Sequence, residues 1–351
     1  MVQTIAQSVG SVVEPGTSAF DAVMANKSMN WEPMFQPMAF AKPLLAGEVD
    51  AQQEDATVEW VTENVKVRAA LRSDTGACIG TVGPSYVGIP NRKAFGIADT
   101  IPGEITSCGE FGGGSTAWLQ MKIDADSLPI QLTSGRQDVI DQYLLIVTGH
   151  CANRNRTILL TPIRVWCTNT LNSALRGKKA ETSGYVRHSG DVDEKIDLAD
   201  GLLRKAGVFF KDMQTAFQFL AKSQVKQPVV EQYFMDVQGI DRGNASHFVV
   251  DEETHELTGE MKGRSKTMFD RYMNAYEGSD GGAAEPGVRG TLWGAYNAVT
   301  YVQDHDVVEE KRKDTAEKTA KDRAAYQLFV AGRKVKEDAL DRALDLATSL
   351  N

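Results

Sequence analysis

The side chains with chemistry to offer gather in one stretch. Between Thr148 and His188 stand Arg154, Arg156, Arg164, Arg176, Lys178, Lys179 and Arg187 against one acid, Glu181, a local charge of +6. The whole chain of 351 residues carries −9. A cationic strip in an anionic body attracts a polyanion while the rest of the molecule repels it. The competing reading is that these cations pair with carboxylates from distant segments. Trp166 lies two residues from Arg164, so on a strand the two share a face. An indole beside a guanidinium suits stacking on a nucleobase. Thr168 and Asn169 follow as the expected start of a helix running to Arg176, where free backbone N–H groups can hold a phosphate oxygen.

Other constellations carry less. Gly112-Gly113-Gly114-Ser115-Thr116 has the glycines of a phosphate loop but not its lysine, and reads as a turn between strands. The five histidines are dispersed, and no His-Glu-x-x-His is present. His150 and Cys151 are adjacent, which on a strand sends them to opposite faces and argues against a nucleophile–base pair. Asp304, His305 and Asp306 are the weak candidates for a metal, with a surface cap after a helix as the preferred reading. No catalytic residue is assigned, and no cofactor is expected.

These groups need elements to position them. Residues 1–56, interrupted by Pro15, Pro33, Pro37 and Pro43, read as an irregular arm with a short helix near Ser18–Ala25. Trp31, Phe35 and Phe40 are expected to pack that arm onto the body or onto a neighbouring subunit. Residues 57–190 read as a β-rich core, with Val139–Thr148 and Thr157–Cys167 as its longest strands. Along the second, Leu159, Ile163, Val165 and Cys167 form the expected core face. Arg164 and Trp166 fall on the other, and Pro162 marks an edge or a bulge. Residues 191–306 turn helical, the apolar stripe from Val192 through Leu220 ending at Pro228. Further helices are expected over Lys266–Tyr276 and Thr291–Val302, and residues 307–351 form a charged amphipathic helix. The fold class is therefore α+β: an antiparallel sheet with short helices, then a helical C-terminal half.

Composition bounds the function. At 42% hydrophobic residues the chain can build a sizeable core. No apolar run approaches the roughly 20 residues of a membrane helix, and no secretory signal is read at Met1–Gly10. Four cysteines without a Cys-x-x-Cys spacing argue against a disulfide scaffold and a zinc ribbon.

Several segments together resemble one family. They are Tyr86-Val87-Gly88-Ile89-Pro90-Asn91 with Ala94-Phe95, the Gly112–Gly114 run followed by Trp118, and Asp141–Leu145 with His150. Thr161-Pro162-Ile163-Arg164-Val165-Trp166-Cys167-Thr168-Asn169-Thr170-Leu171, Arg187-His188, Thr291–Thr300 and Asp304-His305 complete the set. In this order they resemble the phage/plasmid-like protein family, also catalogued as domain of unknown function 932. One departure is that His150 is followed by Cys151-Ala152 where the family has Asp-Gly. At the level of architecture, strands followed by a helix with basic and aromatic residues are similar to Rad52-like single-strand annealing proteins.

The resemblance implies a product of phages, plasmids or prophages acting in the cytoplasm of a bacterial host. The leading expectation is binding or annealing of single-stranded DNA in recombination or replication. Arg154, Arg156, Arg164, Arg176, Lys178, Lys179 and Arg187 would neutralise phosphates, Trp166 would stack a base and Thr168–Asn169 would hold one phosphate. A homo-oligomer is expected, with phage or host replication and recombination proteins as further partners and no membrane. The alternatives are a structural or host-interaction protein that binds no nucleic acid, and a metal-dependent nuclease.

Overall fold

The computed structural model describes residues 5–43, 60–151, 157–164, 183–185, 192–278, 285–307 and 317–350. The fold is α+β, antiparallel sheets with short helices followed by a helical C-terminal region. The main sheet has seven antiparallel strands. They are β1 (Ser11–Val12), β5 (Gly103–Phe111), β6 (Thr116–Ile123), β7 (Leu128–Gln131), β8 (Gln137–Gly149), β9 (Thr157–Arg164) and β10 (Ser183–Tyr185). Their order is β1-β5-β6-β8-β9-β10, with β7 paired to the start of β8. Tight connection of β5 to β6 requires the glycine run: Gly112, Gly113 and Gly114 have φ of 66°, 66° and 98°, a region that side chains disfavour.

Both faces of this sheet are covered. Ala117, Leu119 and Met121 of β6, and Leu144 and Ile146 of β8, face the larger core with Phe217, Trp293 and Tyr296. Trp118 and Leu145 face a second core with Phe111, Leu328 and Phe329. Each fully buried side chain of this size contributes roughly 1.5–3 kcal/mol. Two-sided burial corrects the reading of β9. Its even positions Ile158, Leu160 and Arg164 are buried along with Ile163, because alternation cannot mark an outward face when both faces are apolar. Pro162 pairs with Gln142 on one side. Among the described residues β10 covers only Thr157–Leu159 of β9, so within them Pro162 has a partner strand on one side, where a proline's missing N–H is tolerated.

The N-terminal segment is more regular than its prolines suggest. Helix α1 (Ile5–Val9) precedes β1, and α2 (Ala19–Ala25) is capped by Ser18, whose hydroxyl accepts from the N–H of Asp21. Then β2 (Pro33–Pro43) pairs with β3 (Trp60–Arg72), which pairs with β4 (Cys78–Val82). Three prolines fit β2 because it is the edge strand and its register shifts between Pro37 and Met38. Helix α3 (Asn91–Ala94) follows β4, with Pro90 at its N-cap.

In the C-terminal part, α4 (Val192–Lys222) is followed by α5 (Gln227–Gln238). Pro228 lies in the first turn of α5, where its absent N–H has no helical partner to lose. It opens a helix rather than closing the one before. The short strands β11 (Phe248–Val250) and β12 (Leu257–Met261) lead into α6 (Gly263–Glu277). Helix α7 (Leu292–Tyr301) runs into a π-helical turn, Val302–Asp306. The tail comprises α8 (Glu317–Tyr326), a second π-helical turn at Gln327–Ala331, and α9 (Gly332–Leu350). No helix among the described residues is long and apolar enough to cross a membrane.

Candidate functional site

The three-stranded sheet docks at the end of the main sheet where β8 finishes, beside the connection 152–156. Arg68 and Arg72 lie four apart on β3, so both turn to this junction. The Arg68 guanidinium lies 5.1 Å from the centre of the Phe35 ring, and Phe35 meets Tyr86 edge-on at 5.6 Å. Arg68 donates through Nη2 to the carbonyls of Tyr86 and Gly83, while its buried Nε finds no partner in the described structure. No carboxylate partner of Arg68 stands among the described residues. The Tyr86 hydroxyl donates to the Gly149 carbonyl at 3.2 Å. Burial, with a smaller effect of the Cys151 thiol, pushes that hydroxyl above its ordinary pKa, so it stays a donor. Cys151 sits against Gly80, where a Cβ would come within 2.6 Å of the Cys151 Cβ.

Behind this rim lies a buried brace. Arg72 is only 4% exposed. It donates from Nε and Nη2 to the two Asp74 oxygens at 2.9 and 2.8 Å, and from Nη1 to Glu110 at 2.5 Å. Burial alone would lower the Arg72 pKa, but the hydrogen bonds to Asp74 and Glu110 outweigh it and the pKa is raised. The same contact holds Asp74 below the usual carboxylate range. Arg72 also stacks on Trp31 at 4.8 Å, and Trp31 meets the ring of His150 at 4.9 Å. Asn91 Nδ2 donates to the Met29 carbonyl, which leaves its Oδ1 facing His150 Nε2 at 2.7 Å. An amide oxygen only accepts, so the His150 proton is on Nε2. Trp31 thus packs the N-terminal segment on the body. His150 turns to Asn91 and Trp31, whereas Cys151 turns to Gly80.

A cleft of about 620 Å³ adjoins the brace, its charged lining comprising Lys27, Arg72, Asp74, Glu110 and Asp322. Its carboxylates are already engaged: Asp74 and Glu110 by Arg72, Asp322 by the N–H of Gly113 at 3.1 Å. No group of three His, Cys, Asp or Glu side chains spaced for a metal occurs among the described residues.

The strip itself divides. Arg164 is wholly buried and donates to Asp138 at 2.5 Å, and the indole N–H of Trp293 donates to the same Asp138 oxygen at 2.9 Å. It therefore leaves the set of phosphate contacts, because a neutralised, sealed guanidinium cannot reach a ligand. Arg154, Arg156, Trp166, Thr168, Asn169, Arg176, Lys178, Lys179 and Arg187 lie outside the described residues.

The trio at the end of α7 is also corrected. Asp304 is not a surface cap: it is wholly buried and accepts from Lys336 at 2.5 Å. Burial holds the Lys336 ammonium below its ordinary pKa, although the Asp304 charge and hydrogen bond act the other way. His305 stacks on Tyr301 at 4.5 Å. Successive residues of a helix diverge by about 100°, so Asp304, His305 and Asp306 do not converge on one ion.

The sequence names Phe35 only as a packing aromatic, and does not single out Arg68, Arg72, Glu110, Asp138 or Lys336. The one local signal was the even spacing of the two arginines on β3. The partners of the rest stand tens of residues away.

Among known proteins, the model of the family described as Domain of unknown function (DUF932) matches residues 78–328. No curated protein and no solved structure matches the chain.

Proposed function

The chain belongs to the DUF932 family, and from that premise we propose that it binds single-stranded DNA, serving DNA metabolism in phages, plasmids or related mobile elements. The charge contrast carries the reading. With Arg164 withdrawn, six cations still face one acid between Thr148 and His188, in a chain of −9. Chain topology supports it. Tyr185 pairs with Thr157, so β10 ends at the same end of the sheet as the β8–β9 connection. Arg154 and Arg156 belong to that connection, and Arg187 follows β10 by two residues. The half-buried Arg68–Phe35–Tyr86 cluster stands at this end and adds a cation beside aromatic rings, the combination that suits a sugar–phosphate chain with exposed bases.

Strand annealing, in the manner of Rad52-like proteins, is the finer form of this proposal. It needs charge neutralisation and base presentation, no cofactor, and a homo-oligomer to lengthen the groove. A protein partner at the same end is the second reading, favoured by exposed Val87, Met34 and Val67.

The test is anisotropy of labelled single- and double-stranded oligonucleotides across a salt series. Single strands bind more tightly, with log Kd rising steeply with log salt. The Arg154→Gln, Arg156→Gln double variant reduces that slope by about 1.4, at about 0.7 per phosphate contact. Absent or salt-insensitive binding to single strands overturns the proposal.

A further inference from the structure

A second cavity, of about 780 Å³, opens between α6 and the two π-helical turns, within the range of small-molecule sites. Ser265, in the first turn of α6, is part of its lining. The Ser265 hydroxyl lies 2.8 Å from Nδ1 of His247. We propose that Ser265 and His247 form a nucleophile–base pair, and that the cavity takes the acyl group of a small ester which this pair hydrolyses.

The β11–β12 hairpin builds the pair. Phe248 opposes Met261 in its register, and the Lys262 N–H donates to the His247 carbonyl at 2.9 Å. His247 is thereby held opposite Lys262, the N-cap of α6, and Ser265 follows in the first turn. Buried Phe248, packed with Met235 and Ile240, anchors this end of the hairpin. With the ring proton on Nε2, Nδ1 accepts from the Ser265 hydroxyl, the contact that base activation of a serine requires. His247 Nε2 meets no partner among the described residues, so the described pair is a dyad without an orienting carboxylate.

The same turn of helix offers oxyanion donors. No side chain caps α6, and the N–H groups of Gly263, Arg264 and Ser265 meet no acceptor among the described residues. Such groups at a helix start carry partial positive charge. They suit the oxyanion that develops when a hydroxyl adds to a carbonyl.

The lining names the acyl group. Ser265, Met268 and Tyr272 share one face of α6 and all line the cavity. Tyr272 stands about 10 Å along the axis from Ser265. Val237, Val307 and Val335 add apolar surface between the helices. Tyr272 is 2% exposed. Its oxygen accepts from Gln303 at 2.9 Å, and its own proton goes to no acceptor among the described residues. Burial pushes that hydroxyl up to about 12, so the proton stays in place. A buried donor left unmet is costly. The acyl group that fits is therefore apolar next to the ester and carries an oxygen acceptor further along. His247 is half-buried and is not part of the lining, which puts the leaving alcohol on the outer side, next to the imidazole.

The step balances without a cofactor. Ser265 Oγ bonds to the ester carbonyl carbon as His247 Nδ1 takes the hydroxyl proton. The bond from that carbon to the leaving alcohol breaks, and the alcohol takes the proton. Water, deprotonated by the same imidazole, then displaces the serine and releases the acid. Nothing is oxidised or reduced, and water is the only co-reactant.

The proposal does not rest on strand binding, and the Arg154→Gln, Arg156→Gln variant should hydrolyse esters as the full chain does. Two assays on the full chain test it. A fluorophosphonate probe should label Ser265, read by peptide mass spectrometry. The chain should also turn over para-nitrophenyl pentanoate and, faster, its keto analogue para-nitrophenyl levulinate. Ser265→Ala and His247→Gln should each lower kcat/KM at least about a hundredfold. His255→Gln, in the exposed β11–β12 turn, should leave it unchanged, which separates the pair from hydrolysis by any surface imidazole. Tyr272→Phe should keep pentanoate turnover and lose a preference for levulinate of about fivefold. Ser265→Cys retains a nucleophile and should still gain the mass of one acyl group, which a serine that only supports the fold would not explain. Turnover undiminished in Ser265→Ala, or a full chain that neither labels at Ser265 nor hydrolyses either ester, overturns the proposal.

Discussion

The β8–β9 hairpin carries an arginine environment at each end, and the two are opposites. At one end Arg164 pairs across from Ile140, and Asp138 and Trp293 close over it. At the other, past Gly149 and Thr157, Arg68 stacks on Phe35 and donates to backbone carbonyls. The first guanidinium is neutralised inside the protein. The second keeps its positive charge uncompensated by a described carboxylate, next to a basic connection. An arginine on a strand therefore says little by itself. What decides its role is whether a carboxylate arrives from elsewhere in the chain: Asp138 lies 26 residues from Arg164 in sequence, and Trp293, its other donor, lies 155 residues from Asp138.

The largest expected effect breaks the closed end. Arg164→Ala leaves Asp138 buried with only the Trp293 N–H and a backbone N–H, and removing one partner of a buried pair costs about 3–5 kcal/mol. Urea denaturation should show this loss, and Asp138→Ala should show a similar one. The joint change Arg164→Met, Asp138→Leu removes both charges and should recover most of it. Should Arg164→Ala keep full stability and lose only DNA affinity, the contrast between the two ends is wrong.

This contrast also marks what was legible in the sequence. The helices over Lys266–Tyr276 and Thr291–Val302 and the paired long strands are legible because their periodicity is local, and each is present within a few residues. The α+β class follows from those patterns. The glycine run is legible as a turn because positive φ is a local demand. The strand carrying Pro33, Pro37 and Pro43 was not, since only its edge position and bulge make prolines acceptable. For the site, charge counting finds the segment but not the neutralised member. Nothing near Arg164 in sequence announces Asp138, and nothing near Asp304 announces Lys336. The pairing of Arg68 with Phe35 is not legible because it joins two strands separated by residues 44–59.

A smaller effect sharpens the open end. Arg68→Ala should cost only about 1 kcal/mol of stability, far less than Arg164→Ala, because its acceptors are carbonyls near the surface. It should weaken single-strand binding about tenfold, since a hydrogen bond from a charged donor contributes roughly 1.5 kcal/mol at the low end. Paired denaturation and anisotropy measurements on the two alanine variants give the crossed pattern: one loses mainly stability, the other mainly affinity. Equal losses in both assays for both variants would erase the distinction.

The smallest effect concerns the brace between these regions and is read through pH. Asp74 is held below the usual carboxylate range by its hydrogen bonds to Arg72, so its contribution to stability is complete above the unfolded-state value of about 3.9. It is lost as pH falls through the lower, folded-state value. The stability difference between the protein and Asp74→Asn should therefore be level from neutral pH down to about 5, narrow below about 4 and vanish at still lower pH. Its size is modest, because the Asp74 side chain is 32% exposed and salt screens the pair. A difference that stays level through pH 3 would mean that Glu110 alone holds Arg72, and that the outer half of the brace contributes nothing to the junction behind Arg68.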